Sequence, residues 1–86
     1  MKQFAFTIKD ALGFHTRPVS QIVNIAKEYA DTDITVERKG KVANATALMK
    51  LMSLGVRRND VITVKAEGPS EDSAIIALSY FICNNL

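Results

Sequence analysis

Cysteine, histidine, tryptophan and proline are all scarce in this sequence, and their scarcity narrows its possible chemistry. The 86 residues include one cysteine, one histidine, two prolines and no tryptophan. Because Cys83 has no partner cysteine, a disulfide framework within the chain is excluded. Cys83 and His15 alone are too few to form the ligand set of a zinc site. We therefore expect no metal and no cofactor.

Charge of one sign and long apolar runs are lacking as well. The formal net charge is only +2 at pH 7, and no basic stripe with interleaved aromatic residues occurs, which argues against nucleic-acid binding. No apolar run approaches the length of a membrane-spanning helix. Residues 1–7 alternate between apolar and polar types, so they lack the apolar centre of a signal peptide. We expect a cytoplasmic protein with no nucleic-acid partner and no direct membrane insertion.

The hydrophobic pattern that is present switches between two periods. Apolar residues alternate with polar ones in short segments, which predicts strands, and recur at helical spacing in others. Strands are predicted over residues 3–9, 34–37, 41–44 and 61–66, and helices over residues 16–30, 46–54 and from 70 onwards. The order strand, helix, strand, strand, helix, strand, helix favours a two-layer α+β fold, with residues 1–86 as one domain.

One face of each predicted element is apolar, and these faces together predict the core. The side chains that we expect to be largely buried are Phe4, Phe6, Ile8, Ile22, Val36, Ile62, Val64, Leu78 and Phe81. The alternating strands leave Thr35, Glu37, Thr63 and Lys65 on the opposite side of the sheet, which we expect to be largely solvated. All the helices should therefore lie on the same face of the sheet.

The single histidine stands between the first predicted strand and the first predicted helix, in Gly13-Phe14-His15-Thr16-Arg17-Pro18. Thr16 is the predicted N-cap, and Pro18 falls in the first turn of the helix. Unpaired backbone N–H groups and the helix dipole suit this end to phosphate, and the Arg17 guanidinium suits the same oxygens. A neutral imidazole placed here can carry a phosphoryl group. An ordinary surface or capping histidine is the alternative that these residues leave open.

Four motifs occur together in this sequence. Their combination, at these spacings, is more specific than any single motif. They are Leu12-Gly13-Phe14-His15-Thr16-Arg17-Pro18, Lys39-Gly40-Lys41, Met49-Lys50-Leu51-Met52-Ser53-Leu54-Gly55 and Ala66-Glu67-Gly68. Over essentially its whole length the chain resembles the HPr family, the histidine-containing phosphocarriers of the bacterial phosphoenolpyruvate:sugar phosphotransferase system.

The resemblance implies both a fold and a reaction. The fold is an open-faced β-sandwich, in which a four-stranded antiparallel sheet with strand order 1-4-2-3 carries three helices on one face. His15 would be phosphorylated on Nδ1 by Enzyme I, using phosphoenolpyruvate, and would pass the phosphoryl group to the IIA domains of sugar permeases. Arg17 would stabilise the phosphate, and the phosphate-binding region would include Thr16 and Pro18. Such a protein is a covalent carrier rather than a stand-alone enzyme, and we expect a monomer.

The resemblance also implies a partner-binding face on the first two helices. Its residues would be Ser20, Asn24, Lys27, Leu48, Met49, Lys50, Met52 and Ser53. Leu48 is expected to serve the core as well, whereas Met49 and Met52 are expected to project outward. Exposed methionines suit recognition of several partners because the side chain adapts its shape. The alternative is an ordinary solvated surface on the first helix and a core role for the methionines.

A serine is missing from the position where many family members carry a regulatory one. Alignment through residues 49–55 places Ala47 at the position that a dedicated kinase phosphorylates in many Gram-positive bacteria, with Thr46 one residue earlier. Since Ala47 has no hydroxyl, we expect regulation by the usual route to be absent. If Thr46 caps the second helix, its hydroxyl would be offset from the usual target.

Two other functions fit the sequence less well. A regulatory member of the family acts by binding a partner, but that branch generally loses the histidine and keeps the serine, the reverse of this chain. A small structural or nucleic-acid-binding α+β domain belongs to a different class. The lack of a basic, aromatic sheet face argues against nucleic-acid binding.

Overall fold

The computed structural model describes all 86 residues, and its elements follow the predicted order. They are β1 (Lys2–Thr7), α1 (Thr16–Lys27), β2 (Asp33–Arg38), β3 (Lys41–Asn44), α2 (Leu48–Ser53), β4 (Val61–Glu67) and α3 (Glu71–Asn85). None of the helices has the length and apolarity that crossing a membrane requires.

The four strands form one antiparallel sheet in the order β1-β4-β2-β3. Val64 on β4 stands opposite Phe4 on one side and opposite Val36 on the other, and Val36 in turn stands opposite Ala43. Because alternate residues of a strand point to the same face, this register gathers the apolar side chains of all four strands on one face. The strand order implied by the family resemblance is confirmed.

All three helices pack on that apolar face. A single cluster of 20 buried residues joins the three helices to the sheet. The buried residues that α1 and α3 contribute to it are Val19, Ile22, Val23, Ala26, Ala74, Leu78 and Ile82. The opposite face is half-buried at Thr35, Glu37, Thr63 and Lys65 rather than largely solvated. Neighbouring side chains shield one another there, as where Lys65 Nζ lies 3.3 Å from Glu37 Oε1.

The core prediction is confirmed for the aliphatic residues and wrong for the phenylalanines. Ile8, Ile22, Val36, Ile62, Val64 and Leu78 are buried. Phe4, Phe6 and Phe81 are only half-buried and pack against the cluster from outside. Phe4 and Phe6 lie on β1, an edge strand that has a neighbour on one side only, so the flank of each ring remains accessible.

Helix α1 begins at its predicted first residue and ends early, whereas α2 begins and ends inside its predicted limits. His15, not Thr16, is the N-cap of α1, because its backbone is extended, with φ −129° and ψ 169°. Helix α1 ends at Lys27, and a turn follows it. Helix α2 begins only at Leu48, because the Asn44 Oδ1 atom accepts both the Thr46 N–H, at 2.9 Å, and the Thr46 hydroxyl, at 2.7 Å. This local turn competes with the helical backbone and delays the start of α2.

An arginine–aspartate pair ties the end of α2 to the sheet. Arg38 Nε donates to Asp60 Oδ2 at 2.8 Å, and Arg38 Nη1 donates to the Leu54 carbonyl at the end of α2, at 3.0 Å. The Arg57 N–H donates to the same Asp60 oxygen at 2.9 Å. These hydrogen bonds lower the pKa of the Asp60 carboxyl, and the bond from the Arg57 N–H has a larger effect than the bond from Arg38.

Replacing Asp60 by asparagine should make the protein's stability less dependent on acid pH. A carboxyl with a lowered folded-state pKa stabilises the fold above its unfolded-state pKa, about 3.9 for aspartate. That stabilisation is lost as the pH falls through the lower folded-state pKa. Urea unfolding of the Asp60→Asn protein, measured from neutral to strongly acid pH, should therefore show a shallower acid decline. Asp33→Asn, at an exposed carboxylate without a hydrogen bond, is the control. Equal declines in the two variants would contradict this account.

Candidate functional site

His15 is presented by a loop whose backbone is hydrogen-bonded within itself and to the segment after α2. The Gly13 N–H donates to the Asp10 carbonyl at 3.0 Å, and the Phe14 N–H donates to the Val56 carbonyl at 3.0 Å. The Phe14 side chain is buried in the core. Gly13 has a φ of +61°, and a Cβ added there would collide with the Val56 carbonyl. The loop therefore lies closer to residue 56 than any residue with a side chain would allow.

The start of α1 beside His15 offers several backbone N–H groups. The N–H groups of His15, Thr16 and Arg17 have no hydrogen-bond partner in the protein, and Pro18 has none to offer. The first helical bond is donated by Val19 to the His15 carbonyl, at 3.2 Å. Unpaired donors and the positive end of the helix dipole together favour an anion here. The imidazole itself makes no capping hydrogen bond.

The His15 ring borders an open depression on the surface. Its side chain is 35% exposed, and the other residues lining the depression are Asp10, Arg17, Pro18, Gln21, Phe81 and Asn85. Arg17 and Thr16 are exposed, whereas Pro18 is buried. The Arg17 guanidinium forms no ion pair with a protein carboxylate. Its charge is thus free for an anionic group bound in the depression.

Asp10 is a site residue that sequence reasoning missed. Its Oδ2 atom lies 3.9 Å from His15 Nε2. In the sequence Asp10 is only one of several turn-forming residues after a predicted strand. Its hydrogen bonds to residues 12, 13 and 86 place it beside His15, and the last of these contacts joins distant parts of the chain. An aspartate five residues before a lone histidine was the only signal available.

Comparisons with known proteins show the family of the chain. The family model described as the PTS HPr component phosphorylation site matches residues 2–84. The chain belongs to the HPr family. It is 40% identical to the phosphocarrier protein HPr of Mycoplasma genitalium over 78 residues, which are 91% of this chain and 89% of that protein. These matches support a phosphocarrier role in the phosphotransferase system.

Solved structures of HPr proteins have the same fold. A crystal structure of HPr-C-His from Thermoanaerobacter tengcongensis matches with a TM-score of 0.91 and 38% identity, covering 98% of this chain and 93% of that one. An HPr dimer from the same organism matches with a TM-score of 0.77 and 38% identity, covering 98% of this chain and 95% of that one. The open-faced HPr architecture is therefore shared across nearly the whole chain.

The residues expected on the HPr partner-binding face divide between surface and core. Met49 is 78% exposed, and Asn24, Lys27, Lys50 and Ser53 are exposed as well. Ser20 is half-buried. Helices α1 and α2, which carry these residues, pack against each other.

Two residues of the expected partner-binding face, both on α2, pack partly against the core, as expected for Leu48 but not for Met52. Leu48 and Met52 are half-buried and pack against the core cluster. The expectation that Met52 projects outward is thus wrong. At about 100° per residue, Met49 lies about 160° around α2 from the buried Leu51, whereas Met52 lies only about 100° from it.

The start of α2 has no side-chain cap. Ala47 is the N-cap and makes no side-chain hydrogen bond. Thr46 lies outside the helix, where its hydroxyl donates to Asn44 Oδ1. The possibility that Thr46 caps α2 is therefore wrong, and Thr46 is held in the turn that precedes the helix.

Proposed function

We propose that this HPr-family protein carries a phosphoryl group on Nδ1 of His15. It accepts the group from phospho-Enzyme I and passes it to the IIA domains of sugar permeases. The observation that carries the proposal is the placement of a partly exposed imidazole beside three unpaired backbone N–H groups and the unpaired Arg17 guanidinium. Backbone donors at a helix start and a planar guanidinium both suit phosphate oxygens.

The site supplies a nucleophile and a place for the phosphate. A neutral imidazole nitrogen can attack phosphorus and hold the group covalently. Thr16 and Arg17 contribute backbone N–H groups, and Arg17 also contributes its side chain. The buried Pro18 fixes the first turn of the helix. We infer that Enzyme I and the IIA domains supply the remaining catalytic groups, so that the protein acts as a covalent carrier, with residues 1–86 as one domain.

The direct test is phosphoryl uptake in a purified system. The protein is mixed with phosphoenolpyruvate and a catalytic amount of Enzyme I, and its intact mass is followed. A carrier gains one phosphoryl group that is labile in acid. A member that acts only by binding a regulatory partner, or a structural domain, gains none, and that result would reject the proposal. We further propose that the protein is cytoplasmic and monomeric. Sedimentation of the phosphorylated and free forms would test whether it is a monomer.

We propose that Met49 forms the centre of the docking face, with the rim formed by Ser20, Asn24, Lys27, Leu48, Lys50, Met52 and Ser53. Met49 is the most exposed large apolar side chain in the protein. An apolar side chain surrounded by polar ones is the usual arrangement of a protein interface. A flexible methionine can also adapt to more than one partner.

Met49→Glu should weaken docking to Enzyme I about tenfold, which corresponds to about 1.4 kcal/mol of binding free energy. The melting temperature should stay unchanged because the side chain contacts solvent. Ile76→Glu is a matched control, since Ile76 is 68% exposed but lies on α3, outside the proposed face. Titration calorimetry with Enzyme I makes the comparison. Equal weakening in both variants would contradict a docking role for Met49.

Met52→Glu, by contrast, should lower stability in addition to weakening docking, because its side chain packs on the core.

Ala47→Ser should stabilise the protein and create a kinase site that the natural sequence lacks. A serine N-cap can accept the N–H of the first helical turn, and such a cap is worth about 1 kcal/mol relative to alanine. Urea unfolding measures this gain.

Incubation with an HPr-specific serine kinase and ATP should then add acid-stable phosphate to the Ala47→Ser protein but not to the natural one. A Thr46→Ala change in the same background is the control for the acceptor. Acid-stable phosphate on Thr46 of the natural protein would contradict the expectation.

A further inference from the structure

Asp10 is held so that one of its carboxylate oxygens faces the His15 ring. Its backbone N–H donates to the Leu86 carbonyl at 2.7 Å, and its carbonyl accepts the Gly13 N–H at 3.0 Å. Its Oδ1 atom accepts the Leu12 N–H at 2.8 Å. Three hydrogen bonds therefore fix the residue and occupy one carboxylate oxygen. The other oxygen, Oδ2, lies 3.9 Å from His15 Nε2 and accepts no hydrogen bond from the protein.

The two nitrogens of the His15 ring have different surroundings. Nε2 faces the Asp10 carboxylate, whereas Nδ1 has no hydrogen bond or ion pair with the protein. In a neutral imidazole, one nitrogen carries the proton and the other carries the lone pair. The neighbouring groups decide which nitrogen is which. A negative group at Nε2 stabilises the form with the proton on Nε2.

We propose that Asp10 is a positioning residue for the phosphoryl transfer, an inference that rests on the function proposed above. Asp10 holds the His15 proton on Nε2 and so leaves the lone pair on Nδ1, the nitrogen that receives phosphorus. The 3.9 Å between Asp10 Oδ2 and His15 Nε2 is longer than a hydrogen bond of about 3 Å. The carboxylate therefore acts on the ring through its charge at this distance.

The same carboxylate also suits the charge that develops during transfer. The Nδ1 lone pair forms the bond to phosphorus, while the bond from phosphorus to its donor atom on Enzyme I breaks and leaves its electron pair on that atom. The Nε2 proton stays in place, so the ring becomes positively charged as the negative phosphoryl group joins it. Asp10 stabilises this positive charge, which the neutral ring lacks before transfer.

The Asp10→Asn variant tests the proton position without removing the turn. The introduced amide keeps an oxygen for the Leu12 N–H and presents its NH₂ group towards Nε2. A donor at that place favours a lone pair on Nε2 and moves the proton to Nδ1. The ¹⁵N chemical shifts of the ring, recorded in alkaline buffer where imidazole is neutral, report the two forms. The natural protein should hold the proton mainly on Nε2, and the variant should show a severalfold larger fraction on Nδ1. Identical fractions would overturn the proposal.

Kinetics provide the second readout. Asp10→Asn should lower the kcat for phosphoryl uptake from phospho-Enzyme I about tenfold, with little change in KM and an unchanged melting temperature. Asp33→Asn, which removes the same charge at an exposed site on β2, should keep the full rate. An unchanged kcat in the Asp10→Asn protein would also overturn the proposal. If the natural protein takes up no phosphoryl group, the carrier function fails, yet the ¹⁵N shifts still decide whether Asp10 sets the proton position.

Discussion

The His15→Ala protein should take up no acid-labile phosphoryl group from Enzyme I, while keeping its fold and its stability. The loss should be complete because His15 is the only histidine in the chain, and no second imidazole can form the bond to phosphorus. The fold should persist because the imidazole is partly exposed and makes no capping hydrogen bond. Changes at such surface positions usually alter stability by no more than about 0.5 kcal/mol.

Intact mass after incubation with phosphoenolpyruvate and Enzyme I measures the uptake, and thermal unfolding measures the stability. Gln21→Ala is the matched control, since Gln21 lines the same depression but has no proposed bond to phosphorus. It should accept the phosphoryl group. Uptake of an acid-labile phosphoryl group by the His15→Ala protein would refute the assignment of His15. A large loss of stability would mean that the ring holds the loop in place.

Gly13→Ala should be the most destabilising of the substitutions proposed for this site. Gly13 has a φ of +61°, and an added Cβ would lie 2.7 Å from Arg57 Cα and would collide with the Val56 carbonyl. A left-handed backbone costs an alanine about 1–2 kcal/mol. To relieve the collision, the loop would have to move away from residue 56. The strain of this movement costs about 1–3 kcal/mol more. The hydrogen bond from the Phe14 N–H to the Val56 carbonyl would then be weakened.

Gly40→Ala separates these two costs. Gly40 also has a positive φ, of +83°, but an added Cβ would meet no atom within 4 Å. Urea unfolding of both variants should therefore show Gly13→Ala to be the less stable by about 1–3 kcal/mol. Equal losses would indicate that the backbone conformation alone, and not the contact with residue 56, requires glycine. Phosphoryl uptake by the Gly13→Ala protein should also slow, because the loop carries His15.

The order of the elements could be predicted from the sequence because each one has a clear period. The alternation of Ile62, Val64 and Ala66 and the helical spacing of Val19, Ile22 and Val23 are local signals. The limits of α1 and α2 could not be predicted as well. Thr16 was the best N-cap by residue type, but the chain enters the helix one residue earlier. Helix ends depend on local backbone geometry that residue types alone do not determine.

The candidate site was predictable only where its residues are consecutive. His15, Thr16, Arg17 and Pro18 form one motif, so their proximity followed from the chain itself. Asp10 was missed because its place depends on a contact with Leu86 and on the path of the loop. The exposure of Met52 was misjudged because α2 has only six residues, and the sequence of so short a helix does not determine which side faces the core. These facts depend on tertiary packing, which periodicity does not report.

The hydrogen bond between the Phe14 N–H and the Val56 carbonyl, together with the buried Phe14 side chain, restrains the loop that bears His15 against the segment just after α2. Donor and acceptor proteins would therefore meet a preformed surface, and little conformational entropy would be lost on binding. Docking that needs no rearrangement can remain fast while the complex stays short-lived. A carrier that must leave one partner before it meets the next would gain turnover from this stiffness rather than from tighter binding.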